Sequence, residues 1–480
     1  MRLSALVRRP ADPDPEITGV TADSRLVRPG YLFAALAGAK ADGRRFIGDA
    51  LAAGAAAVLT DEAIEGLSAP VVRACDPRRA YALAAAAFWG AQPETCLAVT
   101  GTNGKTSVVT FCRQILTRLG RKAASMGTLG VIAGDEQVTP PGLTSLDAAD
   151  TARLLAELAG RGVTHLALEA SSHGIHQRRL DGVTLAAAGF TNLTQDHLDY
   201  HGDMEAYRAA KLRLFETVLP RGGTAVLNAD SDAFPAFAAA AILAGQTVLS
   251  VGERGQSLRL VAREAVPGGQ LLTILETEQT YTVNLPLVGA YQASNALVAA
   301  GLCIAAGEDV AKVLAALEQI EGAAGRLQRV GAGPNGGEAF VDYAHTPDGL
   351  QTVLGALRPH ATGRLIVVFG AGGDRDRGKR PLMGEIAARL ADIVIVTDDN
   401  PRFEEPAAIR AAILAAAPAA REIGDRRAAI AAGAAELRDG DILIVAGKGH
   451  EQGMTIGDVV HPFDDVAELA AALGLEAAHG

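Results

Sequence analysis

The chain has 480 residues, of which 49% are hydrophobic, and its formal net charge is −11. About three domains of ordinary size fit this length, and the apolar content excludes a disordered chain or a small disulfide-stapled scaffold. The acidic balance and the lack of a Lys/Arg-rich run argue against general binding of nucleic acid.

The first residues make a poor signal peptide, because the basic residues before Pro10 are followed by Asp12 and Asp14 rather than by an apolar stretch. Alanine-rich stretches elsewhere are interrupted before about 18 apolar residues accumulate. The four cysteines are scattered and form no C-x-x-C pair. We therefore expect a cytoplasmic protein without a disulfide framework or a structural zinc site.

Short Val/Ile/Leu runs alternate with longer alanine-rich stretches along most of the chain, which is typical of β-α units around mostly parallel sheets. We predict an α/β protein with domain boundaries near Gly90 and in the glycine-rich segment 322–336. The predicted domains cover residues 1–90, 91–326 and 327–480.

The clearest motif runs from Gly101 to Thr106, between an apolar strand and a helix-compatible run. Glycines let backbone N–H groups approach phosphate oxygens, and the N-terminus of a helix favours an anion. Lys105 could then reach the terminal phosphates, and the Thr106 hydroxyl could bind Mg²⁺. The standard phosphate-loop pattern has glycine where this chain has Val99, so a glycine-rich turn with an incidental lysine is the alternative. We predict binding of nucleotide phosphate.

Two polar segments follow in the same α/β region. Glu169 ends an apolar strand, where its carboxylate could hold a metal beside the nucleotide. Segment 191–201 contains His197 and His201 together with two aspartates. A hard-cation site with phosphate oxygens and a zinc site are both compatible with these residues, and a polar loop that caps the next helix is the alternative.

In the last third of the chain, three apolar strand candidates lead into the polar loops 370–380, 397–402 and 446–451. If the strands are parallel, the loops gather at one edge of a sheet, where ligands bind in such folds. An arginine there could pair with a carboxylate while Glu451 receives an ammonium, which predicts a pocket for a zwitterion. The alternative for Asp399 to Arg402 is a simple turn, since Asn-Pro is a good turn former.

These motifs resemble, in order and over nearly the whole chain, those of the ATP-dependent Mur ligases of peptidoglycan synthesis. The similarity includes segments 291–296, 325–326 and 342–348, and segment 38–46 resembles the uridine-nucleotide domain of the tripeptide-forming, or MurE, type. The resemblance implies an N-terminal nucleotide-sugar-binding domain, a central P-loop ATPase-like domain with a mostly parallel sheet, and a C-terminal Rossmann-like domain. It also implies that ATP phosphorylates a substrate carboxylate and that an amine then attacks the acyl phosphate.

The resemblance assigns the ATP and metal sites residue by residue. The implied catalytic residues are Lys105, Lys211, His197, Asp342 and His345. The implied ATP-binding residues are Gly101, Thr102, Asn103, Gly104, Lys105, Thr106, Ser107, Asn295 and Arg326. The implied Mg²⁺ ligands are Thr106, Glu169, His197 and Lys211, the last as a carbamate, N6-carboxylysine. Carbamylation replaces an ammonium that would repel Mg²⁺ by an anionic group.

The same resemblance assigns the two other substrates, UDP-MurNAc-L-Ala-D-Glu and meso-2,6-diaminopimelate. The implied nucleotide-sugar-peptide residues are Ala22, Ser24, Ala39, Lys40, Ala41, Thr144, Ser145, Ser171, Gln177 and Arg179, although segment 140–146 departs from the usual Thr-Thr-Pro form. The implied diaminopimelate residues are Arg375, Asp399, Asn400, Pro401, Arg402, Gly447 and Glu451. L-Lysine, the main competing amine, would leave Arg402 without an anionic partner.

Other functions stay open at this point. A folylpolyglutamate or cyanophycin type of ligase is possible, although the folate enzymes usually carry glycine where this chain has Thr106. A regulatory module that binds ATP without forming a bond is a third possibility. We expect small-molecule substrates and Mg²⁺, no nucleic acid or membrane partner, and a monomer.

Overall fold

The structure is a computed structural model that describes residues 1–38, 42–142 and 144–475. The chain divides into two units, each with dense internal packing. Unit 1 consists of Met1–Arg259, Leu275–Gln279 and Leu297–Ala316. Unit 2 consists of Leu260–Ile274, Thr280–Ala296 and Leu317–Gly480. The ranges predicted for three domains remain a prediction.

The first part of unit 1 forms a four-stranded parallel sheet in the order β1-β2-β3-β4. Its elements are α1 (Leu3–Val7), β1 (Gly19–Thr21), β2 (Tyr31–Ala34), α2 (Ile47–Ala52), β3 (Ala57–Thr60), β4 (Val71–Arg73) and α3 (Pro77–Trp89). Single 3-10 turns occupy Ser24–Leu26 and Gly43–Phe46. Helix α3 begins where the Asp76 side chain accepts the N–H of Arg79, and it ends at Gly90 in a left-handed conformation.

The second part of unit 1 carries the mostly parallel sheet. Its elements are β5 (Thr95–Thr100), α4 (Lys105–Arg118), β6 (Ala123–Gly127), β7 (Gly130–Ala133), β8 (Glu136–Thr139), α5 (Ala148–Gly160), β9 (His165–Glu169), α6 (Ser172–His176), β10 (Ala187–Phe190), α7 (Leu198–His201), α8 (Met204–Arg213), a π-helical turn (Leu214–Val218), β11 (Thr224–Asn228), α9 (Phe234–Leu243) and β12 (Thr247–Gly252). The strand order within unit 1 is β12-β11-β10-β5-β9-β6-β7-β8. The strands from β12 to β6 are parallel, and only the pairings of β7 and β8 in this series are antiparallel.

Strand β5 lies between β9 and β10, and the chain passes through α4 to one side of β5 and later returns to the other. Such a reversal of strand order opens a crevice at the carboxyl ends of the strands. The β5 strand is almost entirely buried, as expected for a parallel strand covered on both faces. The loop that follows it therefore lies at the position where α/β sheets bind ligands.

Residues 258–319 contribute to both units. They form β13 (Leu258–Val266), β14 (Gly269–Glu276), β15 (Gln279–Leu285), α10 (Ala290–Ala305), α11 (Val310–Ala316) and a 3-10 turn (Leu317–Gln319).

The rest of unit 2 is a six-stranded sheet in the order β16-β17-β21-β18-β19-β20, in which only β16 pairs antiparallel. Its elements are β16 (Gln328–Ala332), β17 (Glu338–Asp342), α12 (Pro347–Leu357), a 3-10 turn (Arg358–His360), β18 (Leu365–Phe369), α13 (Lys379–Leu390), β19 (Ile393–Val396), α14 (Pro406–Leu414), β20 (Arg421–Glu422), α15 (Arg426–Glu436), β21 (Ile442–Ala446), the antiparallel pair β22 (Gly453–Ile456) and β23 (Val459–Pro462), and α16 (Asp465–Ala472). Strands β18, β19 and β21 are parallel, which confirms the premise of the predicted zwitterion pocket.

Both units thus combine helices with mostly parallel sheets, and the predicted α/β class is confirmed. None of the helices in the described parts of the chain is both long enough and apolar enough to cross a membrane.

Candidate functional site

The loop after β5 has the backbone geometry of a phosphate loop. Gly104 has φ 91° and caps α4, so the free N–H groups of the first helical turn face the loop. Gly101 has φ 151°, and a Cβ there would lie 1.8 Å from Thr191 Oγ1. Glycine is therefore required at this position by both the backbone conformation and the close approach of Thr191.

The segment that begins at Thr191 packs directly on this loop. The backbone N–H of Thr102 donates to the Asn192 carbonyl at 2.9 Å, and the N–H of Asn103 donates to Asn192 Oδ1 at 2.9 Å. Thr191 Oγ1 donates to the Asn103 carbonyl at 2.6 Å. These two motifs are separate in the sequence, and they meet in the structure because β5 and β10 are neighbouring parallel strands.

Two lysines converge on the carbonyl of Gly101. Lys105 Nζ donates to it at 2.9 Å and Lys211 Nζ at 2.7 Å. The Lys211 side chain is 1% exposed, and its Nζ lies 4.4 Å from the centre of the Tyr207 ring. Burial, reinforced by the positive charge of Lys105, holds the pKa of Lys211 well below its usual range. The fold therefore disfavours the charged form of Lys211 relative to that of a solvated lysine.

Glu169, at the end of β9, is buried and oriented by three hydrogen bonds. Its Oε1 accepts from Thr106 Oγ1 at 3.0 Å and from the N–H of Thr128 at 2.8 Å, and its Oε2 accepts from Thr128 Oγ1 at 3.3 Å. A side chain at Gly127 would collide with this carboxylate. The predicted metal ligands Thr106 and Glu169 thus lie together, and a hydroxyl and a carboxylate are oxygen donors that suit Mg²⁺.

His197 is placed less tightly than these two ligands. It has φ 54° at the start of α7, and its side chain is 47% exposed. Its ring centre lies 5.0 Å from that of His173 and 6.2 Å from that of Tyr207, whose ring also contacts Lys211. Residues 1–38, 42–142 and 144–475 contain no group of three His, Cys, Asp or Glu side chains converging on one metal position.

Four residues predicted to contact the peptide part of the substrate form one hydrogen-bonded patch. Ser145 Oγ and Ser171 Oγ lie 2.9 Å apart, Arg179 donates to the Ser145 carbonyl, and Arg179 Nη2 donates to Gln177 Oε1 at 2.8 Å. Thr144 Oγ1 lies 3.0 Å from Thr128 Oγ1, which connects the patch to Glu169. A small cavity is lined by Thr144, Ser145 and Glu169 among others.

The predicted uridine site is described only in part. Ala22 and Ser24 follow β1, and Ala22 packs against the apolar core of the four-stranded sheet. Asp23 between them accepts the N–H of Arg25 at 3.0 Å, which fixes the 3-10 turn. Ala39, Lys40 and Ala41 lie outside the described residues.

In unit 2, Asp342 ends β17 and is held by backbone donors. Its Oδ2 accepts from the N–H of Leu327 at 2.6 Å and its Oδ1 from the N–H of Ala344 at 2.8 Å. Burial raises the pKa of Asp342, whereas the charge of Arg326 opposes that rise. The Arg326 guanidinium stacks on the ring of Tyr343 at 4.2 Å, a favourable cation–π contact.

Asn295 and Arg326, the predicted nucleotide contacts of this unit, are connected through Gln292. Gln292 Nε2 donates to the Arg326 carbonyl at 3.1 Å, and Asn295 Nδ2 donates to Gln292 Oε1 at 3.3 Å. Gln292 was not among the predicted site residues, although its position one helical turn before Asn295 is a usable signal. His345 Nδ1 donates to the Tyr343 carbonyl at 2.8 Å, and the His345 carbonyl accepts from Lys379 Nζ at 2.8 Å.

The three polar loops predicted to gather at the carboxyl ends of β18, β19 and β21 do meet. Asn400 Nδ2 donates to Glu451 Oε2 at 2.9 Å, and Arg402 Nη1 donates to the Gly373 carbonyl at 2.9 Å. Gly447 has φ 124°, and a Cβ there would lie 2.6 Å from Asp399 Oδ2. The predicted juxtaposition of these loops is therefore confirmed. We call this group of loops the amine pocket.

The predicted members of the amine pocket differ in their exposure to solvent. Pro401 is buried, whereas Arg375 is exposed on the loop after β18. Two further buried charged residues were not predicted. Lys448 is completely buried beside Asn400 and Glu451, and Arg426 is completely buried in an ion pair with Asp465.

Comparison with known proteins places this chain and its fold in a family. The families described as Mur ligase family, catalytic domain, as Mur ligase middle domain, and as Mur ligase, glutamate ligase domain match residues 16–88, 99–303 and 325–449, respectively. The chain belongs to the Mur ligase family of ATP-dependent ligases. The expected family and its three-domain α/β fold are thereby confirmed.

Its similar relatives are more specific than the family. A UDP-N-acetylmuramoyl-L-alanyl-D-glutamate--2,6-diaminopimelate ligase from Caulobacter vibrioides is 70% identical over 478 residues, with 98% of each chain covered. A protein of the same name from Bradyrhizobium diazoefficiens is 54% identical, with 98% of this chain and 99% of the relative covered. A solved structure of such a ligase is 34% identical, with a TM-score of 0.74 and coverage of 97% and 95%.

More distant solved structures share the fold alone. The folylpolyglutamate synthase of Mycobacterium tuberculosis, complexed with ADP and AMPPCP, is 20% identical, has a TM-score of 0.63 and covers 82% of this chain and 93% of its own. This similarity shows a shared fold and does not favour the folate-ligase alternative.

Proposed function

We propose that this protein joins meso-2,6-diaminopimelate to UDP-MurNAc-L-Ala-D-Glu, consuming ATP and releasing ADP and phosphate. The observation that carries this proposal is the amine pocket, where a carboxylate, Glu451, and a guanidinium, Arg402, lie on loops held together by Asn400 and Gly373. A diamino diacid offers each of these groups a partner of opposite charge. The names of the relatives point to the same substrates.

The reaction needs activation of the acid, because a carboxylate and an amine would only exchange a proton. We propose that the terminal phosphoryl group of ATP is transferred to the D-glutamate carboxylate, and that the amine then displaces phosphate from the acyl phosphate. The loop N–H groups and Lys105 would bind the phosphates, supplying donors where negative charge develops. Bound Mg²⁺ supplies additional positive charge, and Thr106 and Glu169 are the residues that would hold it.

We further propose that Lys211 carries a carbamate and, with His197, serves a second Mg²⁺. The neutral amine attacks CO₂, forming an N–C bond and releasing one proton, so the side chain becomes anionic. Two observations support this step, namely the burial of Lys211 and the lowering of its pKa by burial and by Lys105. Formation of the carbamate involves no oxidation or reduction, and dissolved CO₂ is the only co-reactant.

The carbamate can be tested without measuring activity. Protein equilibrated with ¹³C-labelled bicarbonate should show one ¹³C carbamate resonance that is absent from Lys211→Met and retained in Lys312→Met, a variant of an exposed lysine. A resonance of equal intensity in Lys211→Met would reject carbamylation at this site.

For the remaining residues we propose the roles that their positions support. Asn295, Arg326, Asp342 and His345 would contact the nucleotide or the reacting groups. Thr144, Ser145, Ser171, Gln177 and Arg179 would bind the sugar-peptide part, and Ala22 and Ser24 the uridine part. A cytoplasmic location and a monomeric state remain predictions, and light scattering of the purified protein would check the latter.

The decisive experiment offers both diamines at once. Purified protein is incubated with ATP, Mg²⁺, UDP-MurNAc-L-Ala-D-Glu and equal concentrations of diaminopimelate and L-lysine, and the nucleotide product is identified by mass. We expect the diaminopimelate product almost exclusively, with one ADP released for each bond formed. Equal use of L-lysine would overturn the amine assignment, and failure to release ADP with either amine would overturn the ligase function.

A folate ligase is tested in parallel because the fold is shared. Folate monoglutamate and L-glutamate replace the peptide substrate and diaminopimelate in an otherwise identical assay. We expect no ADP release above the rate without substrate, whereas folate-dependent ADP release would support the folate alternative.

A further inference from the structure

Lys448 is a buried charged residue that the proposed reaction does not use. It follows β21, and its side chain is completely buried. Its Nζ lies 3.0 Å from Asn400 Oδ1 and 3.2 Å from Glu451 Oε2. A buried ammonium is strongly unfavourable unless its donors are satisfied, so these two partners compensate its burial. Both partners belong to the amine pocket.

The ammonium of Lys448 fixes the orientation of the Asn400 side chain. Asn400 Oδ1 accepts from Lys448 and from the N–H of Thr455 at 2.8 Å. Both neighbours are donors, and lysine has no acceptor, so a rotated amide would bring its NH₂ group against them. The NH₂ group is therefore directed to Glu451, where Nδ2 donates at 2.9 Å.

The same ammonium helps to fix the Glu451 carboxylate. Oε2 accepts from both Asn400 and Lys448, and the side chain is 35% exposed. Within the described parts of the chain, Oε1 of Glu451 accepts no hydrogen bond, which leaves it available to an ammonium group of a ligand. One oxygen of Glu451 is thus anchored inside the protein while the other can bind the substrate.

We propose that Lys448 is a positioning residue that orients Asn400 and Glu451 for recognition of the incoming amino acid. This inference rests on the proposed function, and it adds a residue that acts through Glu451 rather than by touching the substrate. Because the network determines only how the amine is held, its loss should raise the KM for diaminopimelate. The KM for ATP should not change.

The test compares Lys448→Met, which keeps the length of the side chain without its donors, with Lys448→Gln, which keeps a neutral donor. We expect the KM for diaminopimelate to rise about 10- to 100-fold in Lys448→Met and less in Lys448→Gln, since hydrogen bonds to charged groups are the stronger ones. The KM for ATP should stay within about twofold of the parent. Lys312→Met is the matched surface control.

A double-mutant cycle separates positioning from general packing. If Lys448 acts through Glu451, then Lys448→Met should raise the KM for diaminopimelate by less than about threefold in a Glu451→Gln background. Equal effects of Lys448→Met in the two backgrounds would overturn the proposal. Unchanged KM for diaminopimelate in Lys448→Met would also overturn it.

Thermal unfolding of each variant checks the fold. If Lys448→Met and Lys448→Gln both lose cooperative unfolding, the lysine is required for folding and the positioning role is rejected. If the parent protein itself does not use diaminopimelate, the proposed function fails. This outcome is distinguishable from a failure of the positioning role, because it is observed in the parent protein and not only in the variants.

Discussion

The phosphate loop of unit 1 and the amine pocket of unit 2 both lie at the carboxyl ends of parallel strands, but they are built differently. The phosphate loop is one continuous segment whose shape depends on backbone conformation, with Gly101 and Gly104 at positive φ. The amine pocket consists of side chains from separate loops, held by hydrogen bonds among Asn400, Lys448 and Glu451. The shape of the first site therefore depends mainly on the main chain, and that of the second on hydrogen bonds among side chains.

This difference has consequences for substitution. Changes beside the phosphate loop should lower turnover, because the groups there act on the transferring phosphoryl group. Changes in or under the amine pocket should affect the KM for diaminopimelate or the local stability of unit 2. The following four predictions test this separation.

The largest effect is expected under the amine pocket, at the ion pair of Arg426 and Asp465. Both side chains are completely buried, Arg426 Nε and Nη2 donate to Asp465 at 2.7 Å, and Nη2 also donates to the Ala446 carbonyl at 3.1 Å. Arg426→Met leaves an unpaired buried carboxylate and should lower the stability of unit 2 by about 3–5 kcal/mol. Hydrogen exchange of peptides from unit 2, read by mass spectrometry, measures this loss.

The matched control removes both charges. In Arg426→Met with Asp465→Leu no uncompensated charge is left buried, so most of the stability should return. If the double variant is as unstable as Arg426→Met alone, the ion pair is not the source of the effect. Peptides from unit 1 should exchange at the same rate in all three proteins.

The second prediction concerns Glu169, which accepts hydrogen bonds from Thr106 and Thr128. Glu169→Gln keeps the size of the side chain and removes its charge, so we expect kcat to fall about 100- to 1,000-fold, the range found for removing one electrostatic stabiliser. The KM for diaminopimelate should hardly change. Steady-state ADP release at saturating Mg²⁺ measures both constants, with the exposed Glu205→Gln as control. A raised KM for diaminopimelate with normal kcat would contradict the separation of the two sites.

The third prediction concerns Arg402, whose left-handed φ of 52° and hydrogen bond to the Gly373 carbonyl hold its guanidinium half-buried. Arg402→Ala should lower kcat/KM for diaminopimelate about 10- to 150-fold, as expected for losing a hydrogen bond to a charged group. The KM for ATP should be unaffected. Arg421→Ala, an exposed arginine in unit 2, is the control. Equal steady-state constants for Arg402→Ala and the parent would exclude Arg402 from the pocket.

The two sites were also predicted from the sequence to different extents. The phosphate loop is contiguous, and its strand-loop-helix context was sufficient to locate it. To predict the amine pocket, we also had to assume that three strands are parallel. The uninterrupted apolar runs of β18 and β21 justified this assumption. The mostly parallel α/β fold followed from the same alternation of apolar runs and alanine-rich stretches.

The residues that were missed are those whose partners are distant in the sequence. Lys448 contacts Asn400 across 48 residues, and Arg426 contacts Asp465 across 39. Such pairs are selected by tertiary packing, because a lysine or an arginine in a loop or at a helix start is usually solvated. The burial of Lys448 is a property of the folded chain, and no local sequence pattern predicts it.

The smallest effect we predict is a pH dependence of stability from His450, beside Glu451. Burial, together with the charge of Arg326, lowers the pKa of His450 to about 4. In the unfolded chain an ordinary histidine titrates near 6.5, so the unfolded state binds more protons between about pH 4 and pH 6.5. The free energy of unfolding should therefore rise with pH through this window. Above about pH 6.5 the contribution of His450 should stay constant.

His450→Asn should flatten that rise by on the order of 1 kcal/mol, because solvent screens a partly exposed ring and reduces the full linkage value. Unit 1 provides the comparison, since burial and neighbouring histidines lower the pKa of His201 to about 4 as well. The stability measured by hydrogen exchange between about pH 4 and pH 7, corrected for the intrinsic exchange rate, should thus lose part of its pH dependence in unit 2 for His450→Asn and in unit 1 for His201→Asn. If either substitution changes the slope in both units alike, the pH dependence is a property of the whole chain, and the independence of the two sites that underlies the other predictions would be wrong.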